Sequence, residues 1–306
     1  MKDPLKSCKT PLRYPGGKSR ACKKMDPYFP DLREYTEFRE PFLGGGSVAI
    51  HVSKKYPHLK IVVNDLYDPL VNFWVNLQTF GVEMKDTLVE LKSGHNEPES
   101  AKKLFLESKE IINDKQGSTF DRAVAFYVVN KCSFSGLTET SSFSKQASCN
   151  NFSMRGIEKL PLYSTIISHW HINGYSYEYL MQDSHDGLFM YLDPPYDIKD
   201  NLYGKKGSMH KGFDHDKFAA DCDKYSHIDM MISYNSDQLV KDRFKDWQGS
   251  EFDLTYTLRS VGEYMREQKT RKELLLTNYN KNPKIQLTFD GCYKYNRLKK
   301  EGLVDD

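Results

Sequence analysis

Tyr191-Leu192-Asp193-Pro194-Pro195-Tyr196 closes an apolar run that begins at Leu188. A run without polar alternation, Leu188-Phe189-Met190-Tyr191-Leu192, predicts a parallel strand buried on both faces. Neither proline can donate to a sheet ladder, so the strand stops at the acid. Each proline also holds the residue before it extended. The stretch therefore predicts a rigid corner at the carboxyl end of a strand, where open α/β sheets bind their ligands. A carboxylate, outward-facing backbone carbonyls and a ring suit a flat, amine-bearing ligand. The same residues also fit a strand-ending turn with a capping Asp, and the corner alone does not choose between the two.

Upstream, Glu37 to Leu43 reads as a strand that runs into Gly44-Gly45-Gly46-Ser47-Val48-Ala49, with an amphipathic helix to about Tyr56. A strand, a glycine turn and a helix N-terminus cradle a polar ligand. Gly44-x-Gly46-x-x-Ala49 satisfies the loose dinucleotide fingerprint, although a plain tight turn has the same composition. Lys60 to Asp65 is the next strand, and Asp65 stands 19 residues after Gly46, a distance that suits an acid on a ribose hydroxyl pair. Asp68-Pro69 supplies an N-cap for the following helix, expected to reach about Thr79, which leaves Asp65 spare for a ligand. Together these features indicate an adenosine-bearing ligand, NAD or S-adenosylmethionine. Nearer the N-terminus, Pro15-Gly16-Gly17 is a turn signal followed by Lys18 in the first turn of a helix. A cation is poorly placed there unless an anion offsets it.

Residues 83 to 165 interrupt the βα alternation. Leu88, Leu91, Ala101, Leu104, Phe105, Ile111 and Ile112 suggest helices, as does Ala123 to Val129, which carries Asn130 and Lys131 at its end. Ser133 to Ser153 reads as a long polar loop with Phe134, Phe143 and Phe152 interleaved, a pattern that suits base edges and stacking. The α/β pattern resumes with a short strand near Ile166–Trp170, a helix near Tyr175–Met181 and the strand ending at Asp193. Residues 198 to 213 form a basic loop placed to cover the corner. A helix over Asp214–Lys224 and a strand over Ile228–Tyr234 follow. Phe252–Leu258 and Glu273–Tyr279 are expected as closing antiparallel strands. The tip between them carries Arg259, Arg266, Lys269, Arg271 and Lys272 and could touch phosphates.

The chain of 306 residues has a net charge of +2, so any nucleic-acid surface must come from segregated charge. Six cysteines lie scattered without CxxC or Cys/His spacing, which points to free thiols in a reducing, cytoplasmic setting and to no metal site. No apolar run approaches membrane-spanning length.

These motifs coincide in one family. Tyr14-Pro15-Gly16-Gly17-Lys18, Glu40-Pro41-Phe42-Leu43-Gly44-Gly45-Gly46-Ser47-Val48, Asp65 and Asp193-Pro194-Pro195-Tyr196 together resemble the Dam-like DNA adenine-N6 methyltransferases, and they stand in that family's order. Asp121-Arg122-Ala123-Val124 through Asn130 and Gly136-Leu137 resembles the start of its recognition segment. The resemblance covers the chain up to about residue 280. It implies a Rossmann-like α/β fold, a mixed, mostly parallel sheet with helices on both faces. It implies a cofactor-binding catalytic domain over 1–82 and 166–306 and an inserted, mainly helical recognition domain over 83–165. It implies methyl transfer from S-adenosylmethionine to N6 of a flipped adenine in double-stranded DNA, with S-adenosylhomocysteine as product. Asp193, Pro194, Pro195 and Tyr196 would be catalytic. Tyr14, Gly17, Lys18, Phe42, Gly44, Gly46 and Asp65 would line the cofactor site with Asp193. DNA contacts are expected from Asn130, Lys131, Phe134, Ser135, Arg155, Arg259, Arg266, Lys269 and Arg271. Asn151-Phe152-Ser153-Met154-Arg155-Gly156 lacks the proline the family often carries there, so no target sequence follows. Cytosine N4, an RNA base or a protein glutamine offers a similar planar amine. An NAD-dependent dehydrogenase would explain the glycine turn but leave the Asp-Pro-Pro-Tyr corner without a role.

Overall fold

A computed structural model describes residues 4–136, 141–196, 212–254 and 271–279. Seven strands form one sheet: β1 (Glu37–Glu40), β2 (Lys60–Asn64), β3 (His171–Asn173), β4 (Leu188–Leu192), β5 (Asp229–Asn235), β6 (Gln248–Leu254) and β7 (Arg271–Thr277). Their order is β3-β2-β1-β4-β5-β7-β6. The first five are mutually parallel, while β7 runs antiparallel between β5 and β6. The strand order reverses between β1 and β4, and the carboxyl ends of those two strands flank the crevice where open sheets take ligands. The glycine turn leaves β1 there and the Asp-Pro-Pro-Tyr corner leaves β4 there.

Among the described residues the helices are α1 (Cys22–Met25), α2 (Ser47–Lys55), α3 (Asp68–Gly94), α4 (Pro98–Asn113), α5 (Thr119–Cys132), α6 (Lys145–Asn150), α7 (Met154–Ile157), α8 (Leu160–Ile167), α9 (Glu178–Met181), α10 (His215–Lys224) and α11 (Gln238–Arg243). They cover both sheet faces, which is why β4 reads as unbroken apolar sequence. Phe189 and Tyr191 point into one core, shared with α3, α4, α5 and α8. Leu188, Met190 and Leu192 point into the other, against Phe218 and Cys222 of α10. The helical layer over 83–165 thus shares a core with the sheet, and position 83 falls inside α3. The described cysteines are free thiols, and no helix among the described residues is long and apolar enough to cross a membrane.

Four expectations need correction. The helix from Asp68 continues past Thr79 to Gly94 through a kink at Phe80 (φ −123°, ψ 36°). Ile166–Trp170 is not a strand: Ile166 and Ile167 end α8, and the strand is His171–Asn173. β6 starts at Gln248, four residues before the expected Phe252. The segment from Ser133 to Ser153 is not simply a loop: its described residues include an antiparallel bridge between Ser133 and Phe143 and the helix α6. Two of its three rings serve the core: Phe152 is fully buried, and Phe143 packs 5.7 Å from Phe105. The basic loop from 198 lies, except for Gly212 and Phe213, outside the described residues. So do Arg259, Arg266, Lys269 and the tail from 280.

Candidate active site

The corner forms because β4 has parallel neighbours on both sides, β1 paired to Met190 and β5 to Leu192, and the prolines end its ladder. Asp193 then turns out of the sheet with a fifth of its side chain exposed. Three elements meet on it. From the parallel neighbour β5, Ser233 donates to Asp193 Oδ1 at 2.8 Å, and Tyr191 donates to the Ser233 hydroxyl at 2.7 Å. From the N-terminal segment, the Lys18 ammonium lies 2.8 Å from both Asp193 oxygens. From β7, Glu273 lies 3.2 Å from that ammonium. Lys18 also donates to the Gly16 carbonyl at 2.9 Å and to the Tyr196 hydroxyl at 2.7 Å, which in turn donates to Glu273 at 2.6 Å. Lys18 begins a short 3₁₀ turn rather than an α-helix, and carboxylates of this chain stand where an offsetting anion was expected.

Charge dominates this corner. Glu40, at the end of β1, accepts from the Ala49 backbone N–H at 2.7 Å and is fully enclosed. Burial, and next the charge of Asp193, holds its carboxyl well above the usual range. Burial raises the Asp193 carboxyl too, with Glu273 adding to the rise, while Lys18 and Ser233 oppose it. Lys18 is thus the positive charge that favours ionisation of Asp193 among acidic neighbours.

The glycine turn closes on the other side of the crevice. Gly44 and Gly46 have φ of +48° and +64°. A Cβ on Gly44 would sit 2.9 Å from the Tyr14 ring, and one on Gly46 would sit 2.7 Å from the buried Trp74 ring. Trp74 also donates to the Gly44 carbonyl at 3.2 Å. Asp65 is not spare. It accepts from Gly44 N–H at 2.8 Å and from Tyr67 N–H at 3.0 Å. The N-cap of α3 is Tyr67, with Asp68 already inside the helix, so Asp65 ties the glycine turn to the start of α3. Each carboxylate oxygen has a second lone pair, and Asp65 lines the cavity. Asn64 joins this end by donating to Pro41 and Tyr175 carbonyls and accepting from Tyr175 N–H.

The cavity is about 330 Å³, at the lower end for a small-molecule site. Its walls include Tyr14, Gly17, Lys18, Phe42, Gly44, Gly46, Asp65, Asp193, Pro194, Pro195 and Tyr196, so every residue expected at the cofactor and the catalytic corner meets in one place. Phe42 stacks on Tyr177 at 5.4 Å. Tyr196 is 7% exposed, its ring 5.9 Å from Tyr234. Sequence patterns missed Glu40 as a buried acid, Ser233 and Glu273. The one available signal for Glu273 was an acid heading an otherwise apolar strand.

The expected DNA contacts divide. Asn130 is fully buried, which removes it from the DNA contacts: its amide accepts from Arg13 N–H at 2.9 Å and donates to the carbonyls of Arg13 at 2.7 Å and Gly136 at 3.0 Å. Asn130→Ala is expected to strand those backbone groups and to cost about 2–4 kcal/mol by urea unfolding; an unchanged midpoint would refute the anchoring role. Lys131 lies over the Tyr127 ring at 5.2 Å, and burial with Arg13 nearby lowers its ammonium to about 8. Phe134 and Arg155 are exposed. Arg271 belongs to β7, and Ser135 to a short 3₁₀ turn. Among the described residues no His/Cys/Asp/Glu group could hold a metal.

The chain is similar to proteins of known activity. The chain is 23% identical over 283 residues to the type II methyltransferase M1.LlaDCHI of Lactococcus lactis subsp. cremoris, covering 87% of this chain and 94% of that one. It is 24% identical over 200 residues to the type II methyltransferase M.CviBI of Paramecium bursaria Chlorella virus NC1A, covering 63% and 71%. A solved rRNA methyltransferase from Streptomyces viridochromogenes overlaps 85% of this chain and 84% of its own at 11% identity, with a TM-score of 0.32. The profile of one family spans residues 14–259, from the Tyr14 turn through β6 and past the Asp193 corner. With the corner, the glycine turn and the reversed sheet order inside that span, the chain belongs to the D12 class N6 adenine-specific DNA methyltransferases.

Proposed function

We propose that the crevice binds S-adenosylmethionine along its Tyr14–Asp65 wall and receives an adenine, flipped out of duplex DNA, at Asp193. The observation that carries this reading is Asp193 itself, fixed by Lys18 and Ser233 at the mouth of a cavity that also holds the glycine turn. The cavity wall suits a polar, adenosine-bearing cofactor. Two buried side-chain atoms there, Ser47 Oγ and Glu178 Oε2, have no hydrogen-bond partner among the described residues. Buried polar groups call for partners, and a ligand with hydroxyl and amine groups supplies them. When bound, the cofactor brings a sulfonium methyl, already a strong electrophile.

The chain's own residues then position and polarise. Adenine N6 is a weak nucleophile because its lone pair is delocalised into the ring. Lys18 and Ser233 occupy only part of the acceptor capacity of Asp193, so its carboxylate still accepts from the amine. The Pro194 carbonyl takes the second amine hydrogen, and the two acceptors localise the lone pair on nitrogen. The attraction to Asp193 strengthens as the nitrogen becomes positive, which favours the transition state over the ground state. Tyr196 offers its ring to the base. A base inside a duplex cannot reach this corner and must be extruded.

Residues 83–165 supply the recognition layer. Lys131, Phe134, Ser135 and Arg155 contact DNA from it, with Arg259, Arg266, Lys269 and Arg271 touching phosphates. The type II designation of the relatives supports action at a defined DNA site. Asp65→Ala is expected to weaken cofactor binding by about 1–3 kcal/mol in titration calorimetry, as for the loss of charge-assisted hydrogen bonds. Unchanged affinity in a folded variant removes Asp65 from the site. Formation of N6-methyladenine in DNA incubated with protein and S-adenosylmethionine, read by mass spectrometry, tests the reaction as a whole.

A further inference from the structure

We infer that Glu273 is a positioning residue of the methyl-transfer site, acting through the Lys18 ammonium and the Tyr196 hydroxyl. The inference rests on the reaction proposed above. Glu273 is 1% exposed and lies opposite Asn235 in the β5–β7 pairing. Its Oε1 accepts from Tyr196 at 2.6 Å and stands 3.2 Å from Lys18 Nζ. The two groups it holds are themselves joined at 2.7 Å, so Glu273, Tyr196 and Lys18 form a closed triangle, with Asp193 attached at the Lys18 vertex. The geometry constrains two things at once. The Lys18 charge stays beside Asp193, and Tyr196 is held at both ends, by the proline corner in its backbone and by the triangle at its hydroxyl. Without the acid, Lys18 keeps its contacts to Asp193, Gly16 and the tyrosine oxygen but loses Glu273, and the phenol loses its hydrogen bond to that carboxylate.

The groups facing Asp193 are Lys18, Glu273, Glu40 and Tyr191, with the Ser233 hydroxyl. Glu273 raises the Asp193 carboxyl through its charge, so removing that charge while keeping an acceptor makes Asp193 easier to ionise. This gives a signature that a merely structural residue lacks. Glu273→Ala is expected to lower the single-turnover rate of adenine methylation by about 10–100-fold, as for a misplaced reacting group. Glu273→Gln retains an oxygen for Tyr196, and it is expected to recover most of that rate and to move the acid limb of the pH–rate profile to lower pH. Tyr196→Phe combined with Glu273→Ala is expected to cost little more than Glu273→Ala alone, because both break one triangle. A Glu273→Ala rate equal to that of the parent protein overturns the inference. So does Glu273→Gln with an unmoved acid limb, or a Gln variant as slow as Ala with an equally lowered melting temperature. A parent protein that methylates no adenine overturns the proposed reaction instead, and the two failures are told apart in the same assay.

Discussion

Asp193→Ala is expected to bind DNA and cofactor nearly as well as the parent protein and to lose methyl transfer by about a hundredfold to a thousandfold. The size is that of removing one preorganised electrostatic contact from a transition state. The fold survives the change, because Lys18 keeps Glu273, Tyr196 and the Gly16 carbonyl, and Ser233 keeps Tyr191. Binding survives because the cavity wall made by Tyr14, Gly44 and Asp65 is untouched. Single-turnover formation of N6-methyladenine, measured beside DNA binding by fluorescence anisotropy, separates the two effects. Near-normal turnover by the Ala variant would mean that the chemistry happens elsewhere. A 2-aminopurine at the target position reports extrusion of the base, which the Ala variant should still perform.

Lys18→Met carries the second large effect, and it acts on stability as well as rate. Lys18 is 2% exposed in its side chain and is the cation within reach of both Asp193 and Glu273. Breaking a buried ion pair by deleting one partner typically costs about 3–5 kcal/mol. The acids escape part of that cost by taking up a proton. The Lys18 charge does most to hold the Asp193 carboxyl down, so without it that carboxyl stays protonated to higher pH. A protonated Asp193 accepts less well from the amine, and methylation falls at neutral pH. The acid limb of the profile should therefore move up, opposite in direction to Glu273→Gln, and alkaline buffer should restore part of the rate. Stability runs the other way. A carboxyl whose folded value lies above its unfolded one stabilises most at low pH and loses that contribution as pH rises. Urea midpoints of Lys18→Met should accordingly fall further below the parent protein as the buffer becomes more alkaline. A variant as stable as the parent at every pH would show that the cluster does not depend on this charge.

Much of the sheet was legible because its chemistry is local. β2, β4 and β5 are apolar runs stopped by polar residues or prolines, and the glycine turn after β1 needs the positive φ of Gly44 and Gly46. The motifs that wall the cavity could be placed from residues a few positions apart. Interactions over long separations were not legible. Phe80-Gly81 breaks the helical period, yet α3 continues because Gly81 gives room to Ser164 of α8, whose Cβ lies 2.5 Å from where a side chain would stand. Phe143 and Phe152 look like rings offered to bases in a polar stretch, but the partner faces of α4 and α5 bury or cover them. Glu273 gave no reason to look beyond its own strand, since its partners Lys18 and Tyr196 come from other elements. Asn130 could be recognised as polar, not as buried, because its partner Arg13 lies 117 residues away.

That Asn130 clasp has a thermodynamic consequence. Arg13 is pinned to the end of α5, and the next residue, Tyr14, lies against Gly44 and Gly45 in the cofactor wall. One short segment therefore joins the end of α5, in the proposed recognition layer, to the proposed cofactor wall. Ordering it from either side lowers the cost of ordering it from the other. Linkage then makes the coupling reciprocal: whatever factor the cofactor adds to the affinity for DNA, DNA adds to the affinity for the cofactor. If both proposed sites are as assigned, cofactor affinity measured with and without duplex DNA should differ by the same factor as DNA affinity measured with and without cofactor; identical affinities would show no coupling.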